Sequence, residues 1–391
     1  MKKKVVCIFF LIALFPCLVH GEVKNEYDKL MSEYTELYGN IFENGIDEID
    51  ANGNFKDLAK DINIKELFSD LVSGKIEMSV QELLNIIIKK LSGEIYICLK
   101  TMALIIAVSI LSSYLTELQD GFGKEGVNKA AFYTCYIVIS GITCAAFYDA
   151  AECVFETIEQ ISLFMKMIVP VVITALVSSG AAISASVFEP TLIVIVELTV
   201  EIIRSCFLPM IMLSTALNVV NNLSDRFKTE RLVKFMNQSI KWGLTIILTI
   251  FVSVATLQSI ASSGADGLTI KLTKYAATNF IPVVGGVLSE SVEMVMNCSV
   301  LIKNAVGIMG IICVVIIAAT PILKIGAVLI IFRLTAAISE PVSDPKTVKC
   351  LNELGNSVSV LFSMLTACTV MFILVLTVII NAGNTAVMLG R

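Results

Sequence analysis

The sequence predicts an all-α, polytopic membrane protein of about seven spans, within a range of roughly six to nine, preceded by a small helical domain. Three observations predict it. Of 391 residues, 56% are hydrophobic and only 16% charged, against about 45–50% and about 25% in soluble domains. The apolar residues gather in runs of about 20, the length that crosses a bilayer, and mean hydropathy is +0.83. The charge is unevenly divided: residues 1–21 sum to +3, residues 22–94 to −8 and residues 95–391 to zero, for a net −5. Such a chain is not a single soluble enzyme domain. No part of it is the basic footprint of nucleic-acid binding.

Residues 1–21 read as a signal peptide. Lys2, Lys3 and Lys4 form the charged start, and Val5 to Val19 the apolar core, short for a span. Val19 and Gly21 are small enough for the cleavage positions, so cleavage is expected after Gly21. An uncleaved anchor is the competing reading; in both, Glu22 begins outside the cytoplasm. The single histidine, His20, lies in this segment. A processed chain would then have no imidazole for acid–base chemistry or metal ligation. Nine of the 11 cysteines lie beyond the signal, mostly in apolar runs and never as C-x-x-C. They read as small packing residues, and no cofactor or metal is expected.

Residues 22–94 read as an extracytoplasmic acidic helical domain. Tyr27, Leu30, Met31, Tyr34, Leu37, Tyr38, Ile41 and Phe42 recur in steps of three and four, one face of a helix. A second helix is expected near 56–72 and a third near 79–91, opened by the capping box Ser79-Val80-Gln81-Glu82. Three short helices make a marginal core. They either rest as a cap on the membrane part or offer a docking surface to another extracytoplasmic protein.

Residues 95–391 read as the multi-span domain. Candidate spans are 95–115, 130–148, 160–179, 191–219, 243–262, 305–335 and 357–380. The stretch 305–335, interrupted by Pro321 and Lys324, is either one long tilted helix or two shorter elements. Residues 266–300, with Gly285-Gly286, are amphipathic and suit an interfacial or re-entrant segment. The basic loop 221–242, with Arg226, Lys228, Arg231, Lys234 and Lys241, belongs in the cytoplasm by the positive-inside rule, with Trp242 as its interfacial anchor. The acidic segment 149–159 (Asp149, Glu152, Glu156, Glu159) is expected as an outside loop. An odd number of crossings must then separate 157 from 221. Residues 178–186 either end a hairpin or begin an extra short crossing.

Glu197, Glu201 and Arg204 are spaced i, i+4, i+7, on one helical face inside an apolar run. Charges at such depth are costly unless paired or wet, so they should face the bundle interior, a cavity or a partner. Their competing role is structural, a Glu201–Arg204 ion pair. Gly180, in a small-residue run, permits close helix approach. Pro209, Pro282 and Pro321, with Gly285 and Gly286, are candidates for helix breaks or tight packing. There is no phosphate-binding loop, zinc-protease helix or nucleophile elbow, so any energy for transport comes from elsewhere.

Several blocks carry a family resemblance: Asp266-Gly-Leu-Thr-Ile-Lys-Leu-Thr-Lys274 running on to Asn279-Phe-Ile-Pro-Val-Val-Gly285; Leu301-Ile-Lys-Asn-Ala-Val-Gly-Ile-Met-Gly310; Ser178-Ser-Gly-Ala-Ala-Ile-Ser-Ala-Ser186 with Phe188 and Pro190; and Asn381-Ala-Gly-Asn384. With the overall layout, they make the chain resemble the stage III sporulation protein AE family of endospore-forming bacteria, over nearly its full length. The resemblance implies a non-enzymatic, multi-pass subunit in the mother-cell membrane around the forespore. It implies a channel or secretion-like complex needed for late forespore gene expression. The implied partners are other stage III sporulation proteins and, through the complex, stage II sporulation protein Q; lipid surrounds it, and a homo-oligomer is compatible. No catalytic residue is implied. The alternative is a stand-alone secondary transporter using Glu197, Glu201 and Arg204; an intramembrane enzyme lacks a credible nucleophile–base pair.

Overall fold

The computed structural model describes residues 99–111, 125–223, 229–280 and 285–390, together with Gly39, Asn40, Tyr96 and Tyr114. The expected signal peptide (1–21) and all but two residues of the expected 22–94 domain therefore lie outside the described residues. Every described element is a helix: α1 (Leu99–Leu111), α2 (Glu125–Ser178), α3 (Ala182–Ile202), a π-helical turn (Ile203–Phe207), α4 (Leu208–Leu223), α5 (Glu230–Phe280), α6 (Gly285–Ser339) and α7 (Pro345–Gly390). Among the described residues, four stretches are long and apolar enough to cross a membrane: Tyr133–Ser178, Glu230–Leu272, Val295–Ser339 and Pro345–Ala382.

The helices are fewer and longer than the apolar runs suggest. The runs 130–148 and 160–179 belong to one helix, α2, and the expected outside loop 149–159 is part of it. The sequence there, Asp149-Ala-Ala-Glu-Cys-Val-Phe-Glu-Thr-Ile-Glu159, contains no Gly or Pro to stop a helix. Its acids fall on the exposed face while Ala151, Val154, Thr157 and Ile158 are buried. The charge run is the solvated side of an amphipathic stretch. Residues 266–280 and 285–300 likewise extend α5 and α6, and 305–335 is one helix despite Pro321. Pro170, Pro190 and Pro321 all sit inside helices that continue past them, so of the two alternatives for 305–335 the structure takes the single helix. Packing of both flanks against neighbouring helices outweighs the one backbone bond a proline removes.

Two turns are built locally. After α2, Gly180 takes φ +88°, and the amides of Gly180 and Ala181 donate to Val177 O and Leu176 O at 2.9 and 3.3 Å. This is a Schellman closure with glycine at the left-handed position. The small-residue run therefore ends a hairpin. Between α6 and α7, Asp344 caps the new helix: its Oδ1 accepts from Lys346 N at 2.8 Å, and Pro345 occupies the first position, where no N–H is needed.

α2, the continuous α3–π–α4 rod, α5, α6 and α7 lie side by side, with α7 touching all the others. Leu354, Val358, Leu361, Leu365, Phe372 and Leu376 of α7 are all fully buried. The axis of the bundle is thus filled by a side-chain core, with Ile161, Phe164 and Ile168 of α2 and Val306 and Val314 of α6 packed around it. α1 lies beside the lower part of α6, where Met102 packs on Ala327 and Ile331.

Candidate functional site

The predicted polar residues lie on the outer face of the α2–α3 hairpin. Glu197, Glu201 and Arg204 are all exposed, with no bundle interior beside them. Lys166 of α2 donates to Glu197 Oε1 at 3.1 Å across the hairpin. Arg204 stands over the Phe155 ring of α2, 5.5 Å from its centroid, a cation–π contact. Glu201 accepts a hydrogen bond from the Ser205 hydroxyl. The structural ion pair expected from the sequence is therefore replaced: Glu197 pairs with Lys166, and Arg204 rests on an aromatic ring.

The i, i+4, i+7 spacing sets all three on one face, and the π turn extends that face toward Cys206. A wide turn shifts the face a helix presents, and Arg204, Ser205 and Cys206 point outward in succession. It stands immediately before Pro209, whose ring lacks an N–H and crowds the carbonyl of Ser205; the Leu208 amide bonds back to Ile203 O instead. Pro209 widens the rod without breaking it. On the other side Phe207 turns inward against α5, where Gly243 leaves space that a Cβ would fill.

Two buried charged residues, which periodicity alone did not single out, tie the upper end together. Asp266 of α5 is 1% exposed. Its two carboxylate oxygens accept from the amides of Ile183 (2.8 Å) and Ser184 (2.9 Å). It thus caps α3 from a distant helix, where the local N-cap Ala181 has no side chain able to do so. Lys303 of α6 is fully buried and donates to Ile380 O (2.7 Å) and Asn384 Oδ1 (3.0 Å) of α7. One turn on, Gly307 lies against Ile380 and Gly310 against Leu376 and Ile168, so the missing side chains let α6 approach both neighbours. Gly180 stands at the same end, against Met296 and Ile270. The sequence signal was available: an acid and a lysine, each inside an apolar helix, need a partner.

At the opposite end, Glu230 accepts from Lys234 (2.6 Å) and Lys349 (3.2 Å), joining α5 to α7. Arg231 and Lys234 are exposed in the first turns of α5; Arg226 and Lys228 lie outside the described residues. Gly285 and Gly286 open α6, and Pro282 lies outside the described residues.

The profile of stage III sporulation protein AE matches residues 62–383. A protein of that name from Bacillus subtilis (strain 168) is 31% identical over 320 residues, covering 82% of this chain and 80% of the relative. No solved structure matches. The blocks that carried the resemblance meet in space: Asp266 joins the 266–274 block to the 178–186 block, and Lys303 joins the 301–310 block to Asn384. By length of match and by identity, the chain belongs to the stage III sporulation protein AE family.

Proposed function

We propose that this chain is a non-enzymatic, multi-pass subunit of the channel, or secretion-like, complex between mother cell and forespore, required for endospore formation and late forespore gene expression. The observation that carries the reading is family membership over most of the chain. Other stage III sporulation proteins are its partners in the mother-cell membrane, and stage II sporulation protein Q is reached through the complex.

The arrangement of the rods supports a multi-pass chain. The 178–182 turn, the end of α5, the start of α6 and the end of α7 lie at one end; the end of α4, the start of α5 and the 340–344 turn lie at the other. With the basic end in the cytoplasm, five crossings follow without conflict, because 149–159 is not a turn. Lys241, Trp242 and Lys324 mark one boundary and Asp266, Lys303 and Asn384 the other. Between them α5, α6 and α7 carry no charge over 243–265, 304–323 and 354–390. Those lengths, about 20 residues or more, match the hydrocarbon core of a bilayer.

The transporter alternative is less well supported, since Glu197, Glu201 and Arg204 face outward. The test is affinity purification of the tagged protein from sporulating cells in mild detergent, with mass spectrometry of what accompanies it. Recovery of other stage III proteins is expected. Normal spore yield after deletion of the gene would overturn the proposal.

A further inference from the structure

One line of charges runs along α2 from below the membrane into it. Asp149, Glu152, Glu156, Glu159, Leu163 and Lys166 follow one another at steps of three and four, and all are exposed. That spacing keeps side chains on one face, and it is the spacing by which one helix meets another along a seam. Beside it on α3 stand Glu197, Leu198, Glu201 and Arg204, also exposed. Contacts across the bundle set the heights. Phe207 lies against Gly243, next to Lys241 and Trp242, so Arg204 over Phe155, and with them Glu156, stand near the cytoplasmic boundary. Asp149 and Glu152 lie below it. Counted up from Phe207 at about 1.5 Å per residue, Glu201 stands about 9 Å into the membrane and Glu197 about 15 Å, half-way across the hydrocarbon. Two contacts agree with this depth: Gly310 of α6 packs on Ile168, and Thr199 donates to Met371 Sδ of α7 at 3.6 Å.

What covers the line follows from its charge balance. Lys166 is held by Glu197 at 3.1 Å. Glu201 accepts from the Ser205 hydroxyl, and among the described residues no base pairs with it. A carboxylate at that depth is costly in lipid and calls for a partner. Along the whole face six acids stand against two bases, Lys166 and Arg204. A second copy would set acid against acid, so the charges ask for a different chain with the opposite pattern. A span whose cytoplasmic flank is basic, as the positive-inside rule ordinarily makes it, has that pattern at the lower end. A base one or two turns further in completes it.

We propose that this stripe receives a transmembrane helix of another protein, which sets one Lys or Arg against Glu201 and a basic cytoplasmic flank against Asp149, Glu152, Glu156 and Glu159. It rests on the membrane-spanning reading above but not on the larger complex. The probe is a synthetic Leu–Ala transmembrane peptide with a basic flank and one Lys about two turns inside it. Binding to the full chain in phosphatidylcholine vesicles is read by energy transfer between labels. Resistance of the protein to alkaline extraction establishes insertion first, which separates failure of the membrane reading from failure of the proposal. The peptide binds at least about tenfold more tightly than the same peptide with Leu in place of its inner Lys, the effect of one desolvated charge contact. Glu201→Gln removes that preference, and Glu201→Lys transfers it to a peptide carrying Glu there. The double variant Asp149→Asn with Glu152→Gln weakens both peptides alike and makes their binding less sensitive to salt. Equal binding of the Lys and Leu peptides would overturn the proposal. So would a preference that survives Glu201→Gln in a chain that elutes as a single folded species. Disulfide cross-linking of Leu163→Cys between two copies, with the native cysteines replaced, would assign the stripe to a second copy and overturn it as well.

Discussion

Replacing Asp266 with alanine is the sharpest test of what holds the bundle at its upper end. Among the described residues, the carboxylate is the one side chain that bonds the first turn of α3, and it reaches two amides at once. Ser184 is fully buried, so its amide has no water to turn to. A buried amide without a partner costs about 1–3 kcal/mol, and the favourable contact of an anion with a helix N-terminus up to about 2. Against this, the variant no longer desolvates a carboxylate. The net expectation for Asp266→Ala is a loss of about 3 kcal/mol. Asp266→Asn keeps one acceptor oxygen but turns an NH₂ toward the second amide, and is expected to lose about half as much. The assay is unfolding of the purified protein in mixed micelles with increasing denaturing detergent, followed by fluorescence of the sole tryptophan, Trp242. A loss below about 1 kcal/mol for Asp266→Ala, or wild-type stability for Asp266→Asn, would refute this cap.

Other perturbations follow from the same geometry. Asn384→Ala leaves the buried Lys303 ammonium with one acceptor and is expected to cost about 2–3 kcal/mol. Adding Lys303→Met should recover most of that, since removing both members of a buried polar pair is often nearly neutral; an additive double variant in the same unfolding assay would count against it. Gly307→Leu forces a side chain into Ile380 and is expected to cost about 3 kcal/mol or more, with Gly307→Ala costing less; equal stability for both would refute close approach there. Single cysteines placed at Ser178 and at Ser343, in a background with the native cysteines replaced, should be labelled by a membrane-impermeant reagent from opposite sides; labelling from one side alone would exclude an odd number of crossings between them.

Much of this molecule was legible in its residues. Helix, membrane and family follow from long apolar runs, steps of three and four, and the blocks around Asp266 and Asn384. These are local signals, because backbone hydrogen bonding in lipid is satisfied within each helix. Span number was not legible in the same way. Asp149 to Glu159 looks like a loop when charges are counted along the chain, yet only alternate faces of it are charged, and α7 and α6 bury the rest. The partners of Asp266 and Lys303 are 82 and 77 residues or more away. No spacing rule reaches that far; what the sequence supplies is the demand for a partner, and packing decides which. The outward aim of Glu197, Glu201 and Arg204 likewise comes from which face of the hairpin packs on the bundle, while the wide turn before Pro209 sends Phe207 to its space at Gly243. Local physics determined that these charges could not be left in lipid alone. Tertiary structure decided that they would face away from the bundle's own core, because α7 already fills it.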